Sequence, residues 1–161
     1  MSRHLGNELS GTLLSLLDGT DLPGRMGKAV LITTVDAQGW AHPALLSYGE
    51  VLAIDARRLR LATYRASRTS NNLLRSGHLT LCLIEAGMAY YVKTRVLQHQ
   101  ASPDLPGLER FETTVEEVLE DQAREDLEPG ARIVHGIEFE DPRPAPERLS
   151  AWTATLKALR S

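Results

Sequence analysis

One cysteine, Cys82, stands in the 161-residue chain, which excludes an intramolecular disulfide and a cysteine-rich metal site. Aromatic residues are scarce, at 5%. No apolar run approaches the roughly 20 residues that span a bilayer. The opening stretch from Met1 to Asn7 lacks the apolar core of a secretory signal. Neither sign of charge dominates: 18 Lys and Arg against 21 Asp and Glu leave a net charge of −3. That balance gives no electrostatic ground for nonspecific binding to nucleic acid or to an anionic membrane. A soluble, cytoplasmic protein is the expectation, and 17.8 kDa suits one domain without a linker or an internal repeat.

What is present is a run of short β-like segments framed by helical ones. Leucines at 9, 13, 14, 16 and 17 share one side of a helix over about residues 7–18, with Gly19 placed for a left-handed cap. Strand patterns follow at Ala29–Val35, 40–54 (bent at Gly49), 59–64, His78–Glu85, 88–100 and 131–140, punctuated by turn residues. Ser67 to Gly77 reads as a capped helix. Leu108, Phe111, Val115, Val118 and Leu119 recur at helical spacing, with Pro129-Gly130 as the stop. A last amphipathic helix covers about residues 146–160. Because the strands come as sequence neighbours, the expectation is a mainly β fold: a six-stranded antiparallel barrel over about residues 27–141 with flanking helices. No G-x-G-x-x-G or Walker sequence occurs, and a Rossmann fold is disfavoured.

The chemistry concentrates in Thr63-Tyr64-Arg65-Ala66-Ser67-Arg68-Thr69-Ser70-Asn71-Asn72, where a strand hands over to a helix. A helix start offers unpaired N–H groups and the positive end of the dipole. Arginine adds a permanently charged fork suited to phosphate. The alternative on chemistry alone is a solvated loop with Ser67 as an ordinary cap.

From Ala29 to Gln100 the chain resembles the FMN-binding split-barrel family related to pyridoxamine 5′-phosphate oxidase. The resemblance rests on Leu31–Val35, Gly39 and His42-Pro43-Ala44, then Leu61-Ala62-Thr63, Ser67-Arg68, Asn72-Leu73 and Leu79-Thr80-Leu81-Cys82-Leu83. It implies a split barrel and a homodimer with FMN at the subunit interface. It further implies a flavin-dependent oxidoreductase acting on a small molecule, and cofactor contacts at Ser47, Thr63, Ser67, Arg68, Thr69 and Asn72. Many relatives carry lysine where Arg68 stands. The Trp- and Arg-rich substrate signature of true pyridoxamine phosphate oxidases is missing from Ile137-Glu138-Phe139-Glu140-Asp141-Pro142-Arg143, so vitamin B6 oxidation is not expected. Relatives on the same barrel use F420, which stands as an alternative cofactor, and haem with one of the histidines as axial ligand is a further variant. A non-catalytic flavin- or phosphate-binding dimeric module is the rival from another class.

Other residues weigh less. His4, His42, His78, His99 and His135 are scattered without metal-ligand spacing, and no metal is expected. Cys82, inside an apolar strand, reads as a buried, unreactive thiol. The acids from Glu109 to Asp126 read as the solvated face of a helix. Tyr90, Tyr91 and Trp40 fit packing better than stacking on a flavin. Lys93 and Arg95 share one face of the long strand, where an anion or water can meet them. No nucleophile elbow is present, and no protein acid or base stands out as catalytic.

Overall fold

The computed structural model describes residues 2–161. Its elements are β1 (Ser2–Gly6), α1 (Gly11–Leu17), α2 (Leu22–Arg25), β2 (Ala29–Val35), β3 (Ala41–Ser47), β4 (Val51–Ala53) and β5 (Arg58–Tyr64). There follow α3 (Arg68–Ser76), β6 (His78–Glu85), β7 (Met88–Ala101), β8 (Leu108–Asp121) and α4 (Ala145–Arg160). The strands pair antiparallel in the order β3-β2-β6-β7-β8-β5-β4, with β1 added beside the end of β8. The two ends of that order, β3 and β4, are consecutive in the chain. The turn between them therefore draws the sheet round into the split barrel expected from the sequence.

Alternation decides what faces the interior. Val30, Ile32 and Thr34 of β2, Leu79, Leu81 and Leu83 of β6, and Tyr90, Val92 and Thr94 of β7 are buried. Leu13, Leu16 and Leu17 of α1 close this core. A second cluster lies under α4, where Leu156 and Leu159 pack with Leu52, Ala62 and Leu105. Ser10 caps α1 through a bond from Leu13 N–H.

Four details differ from the sequence expectation. The segment read as a helix from Leu108 is strand β8, bonded to β7 and to β5. The cause is a bulge: Thr94 pairs with Val115 and Lys93 with Glu117, so Glu116 is an extra residue. Buried positions therefore run Phe111, Thr113, Val115 and then Val118, Glu120. The shift of parity imitates an i, i+4, i+7 helical stripe.

Residues 131–140, expected as a strand, make one isolated bridge, Lys28 to Glu138. Their β-branched side chains find no second face to bury, and Val134 is 77% exposed. The long strand over residues 40–54 is two strands, because Glu50 turns back to accept from the N–H and hydroxyl of Ser47 at 2.6 and 2.9 Å. With β1 ahead of α1, the described residues hold eight strands and not six.

Gly49 in that turn lies against Trp152 of α4. A Cβ built there would sit 2.3 Å from Trp152 Cγ and 2.7 Å from its Cβ. These atoms are near the root of the side chain and cannot swing aside. Gly49→Ala is expected to cost about 1–3 kcal/mol through overpacking, read as a lowered midpoint in urea with an unchanged slope.

Candidate functional site

The corner joining β5 to α3 is built by local rules. Ser67, extended at φ −68 and ψ 161, caps α3, and Gly77 ends it in the left-handed conformation at φ 70. The Ser67 hydroxyl accepts from Ser70 N–H at 3.1 Å and donates to Ser70 Oγ at 3.2 Å. Ser70, fully buried, donates to the Tyr64 carbonyl at 2.7 Å. Its single proton is then committed, so the 2.7 Å contact with Thr63 Oγ1 has Thr63 as donor.

Two hydroxyls, those of Thr63 and Ser67, thus converge on the Ser70 oxygen and fix the end of β5 against the first turn of α3. Ser70 was not singled out from the sequence. The i to i+3 spacing from the cap was its one local signal. Ser70→Ala strands the Thr63 hydroxyl and leaves the Tyr64 carbonyl with the Ser67 N–H as its one remaining donor here, at about 1–3 kcal/mol for the buried group left unpaired. The check is a thermal melt of the variant beside the exposed control Ser150→Ala.

What remains open at the corner is positive. Arg65 and Arg68 are exposed, and neither side chain has a hydrogen bond or an ion pair among the described residues. The N–H groups of Arg68 and Thr69, first in α3, have no intrahelical acceptor. Most other arginines are occupied, as in Arg60 with Glu112 at 2.6 Å and Arg95 with Glu116 at 2.7 Å. Two free guanidiniums and a helix start are donor groups of the kind a phosphate takes.

The remaining expected contacts fall elsewhere. Thr69 is buried in the first turn. Asn72 is buried too, and its amide donates to Thr34 Oγ1 on β2 at 3.0 Å, which docks α3 onto the sheet. Ser47 is tied to Glu50 and belongs to the outer face of β3.

Lys93 and Arg95 are engaged by Glu117 and Glu116 across the β7–β8 ladder. The acids of β8 therefore serve cross-strand ion pairs and not a helix face. His99 Nε2 stands 3.5 Å from Glu109 Oε2, and its ring lies 4.8 Å from that of Phe111. Cys82 is half-buried, and that burial pushes its thiol up from its ordinary value. No helix among the described residues is long and apolar enough to cross a membrane.

Comparison with known proteins agrees with this architecture. An uncharacterized Bacillus subtilis protein, YclD, is 36% identical over 160 residues, which cover 96% of this chain and 97% of that one. A crystal structure of a candidate pyridoxamine 5′-phosphate oxidase from Lactobacillus delbrueckii superposes with a TM-score of 0.56 at 18% identity. The match spans 72% of this chain and 98% of the other. An FMN-binding protein from Syntrophomonas wolfei gives 0.52 at 14% identity, over 68% and 88% of the two chains. At these identities the two structures speak for the fold alone. The sequence model of the pyridoxamine 5′-phosphate oxidase family matches residues 25–157, and the chain belongs to that family.

Proposed function

We propose that the protein binds FMN at the corner between β5 and α3 and works as a homodimeric, flavin-dependent oxidoreductase on a small molecule. The observation that carries the reading is the pair of free guanidiniums, Arg65 and Arg68, beside the unpaired N–H groups of α3. In this reading they hold the phosphate, and the Thr63–Ser70–Ser67 network keeps their backbone in place. When bound, the flavin supplies the hydride or electron transfer. The protein's part is to bind and orient it, and no side chain is assigned a proton.

The dimer reading rests on the outer face of the sheet. Strand register aligns Leu45, Leu31, Cys82, Tyr91 and Leu119 in one row across five strands. Leu45 is 52% exposed, and the other four are half-buried. A second copy covering this band removes it from water. Ser47, on the same face two residues beyond Leu45, then lies at the interface where the resemblance puts the flavin ring.

The test is an absorption spectrum of the purified protein, mass spectrometry of what denaturation releases, and a light-scattering mass. FMN released from a particle of twice 17.8 kDa is expected. Reduction of the bound flavin by NADH or NADPH, and reoxidation by an acceptor, marks it as catalytic. Release of F420 or haem corrects the cofactor and keeps the barrel. A colourless protein that fails to take up added FMN overturns the reading.

A further inference from the structure

The connection from β8 to α4, residues 122–144, carries an apolar surface that the fold leaves in water. Five of the eleven large apolar residues exposed among the described residues fall in it, so this is where they gather: Leu127, Ile133, Val134, Ile137 and Phe139. The stretch holding the last four is fixed by its backbone. Ile133 N–H donates to the Gly87 carbonyl at 3.0 Å, Ala29 N–H to the Ile137 carbonyl at 2.9 Å, and Phe139 N–H to the Gly27 carbonyl at 2.8 Å. These bonds hold the apolar side chains in place without burying them.

Residues 133–139 form an arm against the outer face of the sheet. Cys82 and Ile84 share that face of β6, whose inward residues are Leu79, Leu81 and Leu83. Gly136 lies on Ile84, so close that an added Cβ would meet Ile84 Cγ1 at 3.0 Å. Ile84 is two residues along β6 from Cys82. The arm therefore crosses the face about 7 Å from the row of Leu45, Leu31, Cys82, Tyr91 and Leu119.

Area says what that row needs. Leu45 and its four half-buried neighbours expose at most about 400 Å², half of the roughly 800 Å² that each partner gives to a stable interface. Ile133, Val134, Ile137 and Phe139, exposed by 38, 77, 42 and 37%, add on the order of 400 Å². Each patch alone is of a size found on ordinary monomers. Joined, they reach the area of a dimer contact.

We propose that a second copy of this chain covers the arm, so that residues 133–139 and the row together make the homodimer interface. The inference rests on the homodimer reading above and adds the surface that completes it. In an isologous contact both copies present the same patch, so both arms are covered at once.

The experiment is sedimentation velocity over a dilution series of the purified protein, with any cofactor it retains. The samples are wild type, Val134→Glu, Ile137→Glu, Leu45→Glu and Trp40→Glu. Trp40 is 74% exposed in the turn between β2 and β3, at the far end of β2 from the arm, and controls for the added charge. Expected is a wild-type dimer whose dissociation constant rises about tenfold or more in both arm variants and in Leu45→Glu, since each buries an unpaired carboxylate in the contact. Trp40→Glu leaves the constant unchanged, and circular dichroism is unchanged in all four variants. Arm variants that keep the wild-type constant overturn the proposal, leaving the dimer to the row and the arm to another partner. An equal rise in Trp40→Glu also overturns it. A monomeric wild type overturns the homodimer reading itself, and this proposal with it.

Discussion

Arg68→Glu is expected to raise the dissociation constant for FMN by about a hundredfold or more while the protein stays folded. A charge-assisted bond from guanidinium to phosphate is among the stronger single contacts available at a surface. Reversing the charge removes that bond and sets a carboxylate against the phosphate. The fold loses nothing by the change, because Arg68 is exposed and has no partner among the described residues. The first turn of α3 holds no acid, and a glutamate there opposes the helix dipole favourably. Affinity and stability should therefore move in opposite directions, a pattern that a damaged fold cannot produce. Arg68→Lys keeps the charge and loses the fork, so its loss should be several-fold only. Flavin fluorescence titrations beside thermal melts give both quantities. An unchanged dissociation constant in Arg68→Glu removes the residue from the site.

What the sequence shows of this site follows the range of the forces involved. The cap at Ser67, the left-handed Gly77 and the free arginines are local features and stand in thirteen consecutive residues, Arg65 to Gly77. Ser70 and Asn72 look equally polar in the sequence, yet both are buried. One turns to the strand end and the other to Thr34 on β2, 38 residues away. Only the tertiary path of the chain decides that. The strands β2, β5, β6 and β7 are legible because one face of each is buried and the pleat repeats every two residues. β8 is not, since an extra residue at Glu116 moves the buried set from odd to even positions. Residues 131–140 mislead in the opposite way: they have strand composition, but among the described residues they form a single isolated bridge, Glu138 to Lys28, and no ladder.

Phe111→Ala tests the placement of β8 and carries the largest expected loss of stability, about 3–5 kcal/mol for a fully buried aromatic cut to a methyl. Phe111 is wholly buried and sits between Leu61 of β5 and His99 of β7 in the ladder. No side chain is placed to refill the space on its own, since both neighbouring strands are held by their backbones. For a chain of this size the melting temperature should fall by about 6–20 °C. Leu127→Ala is the control, because Leu127 lies in the same segment that reads as one helix from the sequence and is 66% exposed. Its change should stay within about 0.5 kcal/mol. Equal losses in the two variants contradict the bulged strand, which buries one residue and leaves the other in water. The same substitution also reaches the candidate site by a short path. Leu61, which pairs with Phe111, is two residues from Thr63 on the same face of β5, and Thr63 donates to the Ser70 oxygen. Loosening β5 in Phe111→Ala should therefore weaken flavin binding as well, together with stability, whereas Arg68→Glu separates the two.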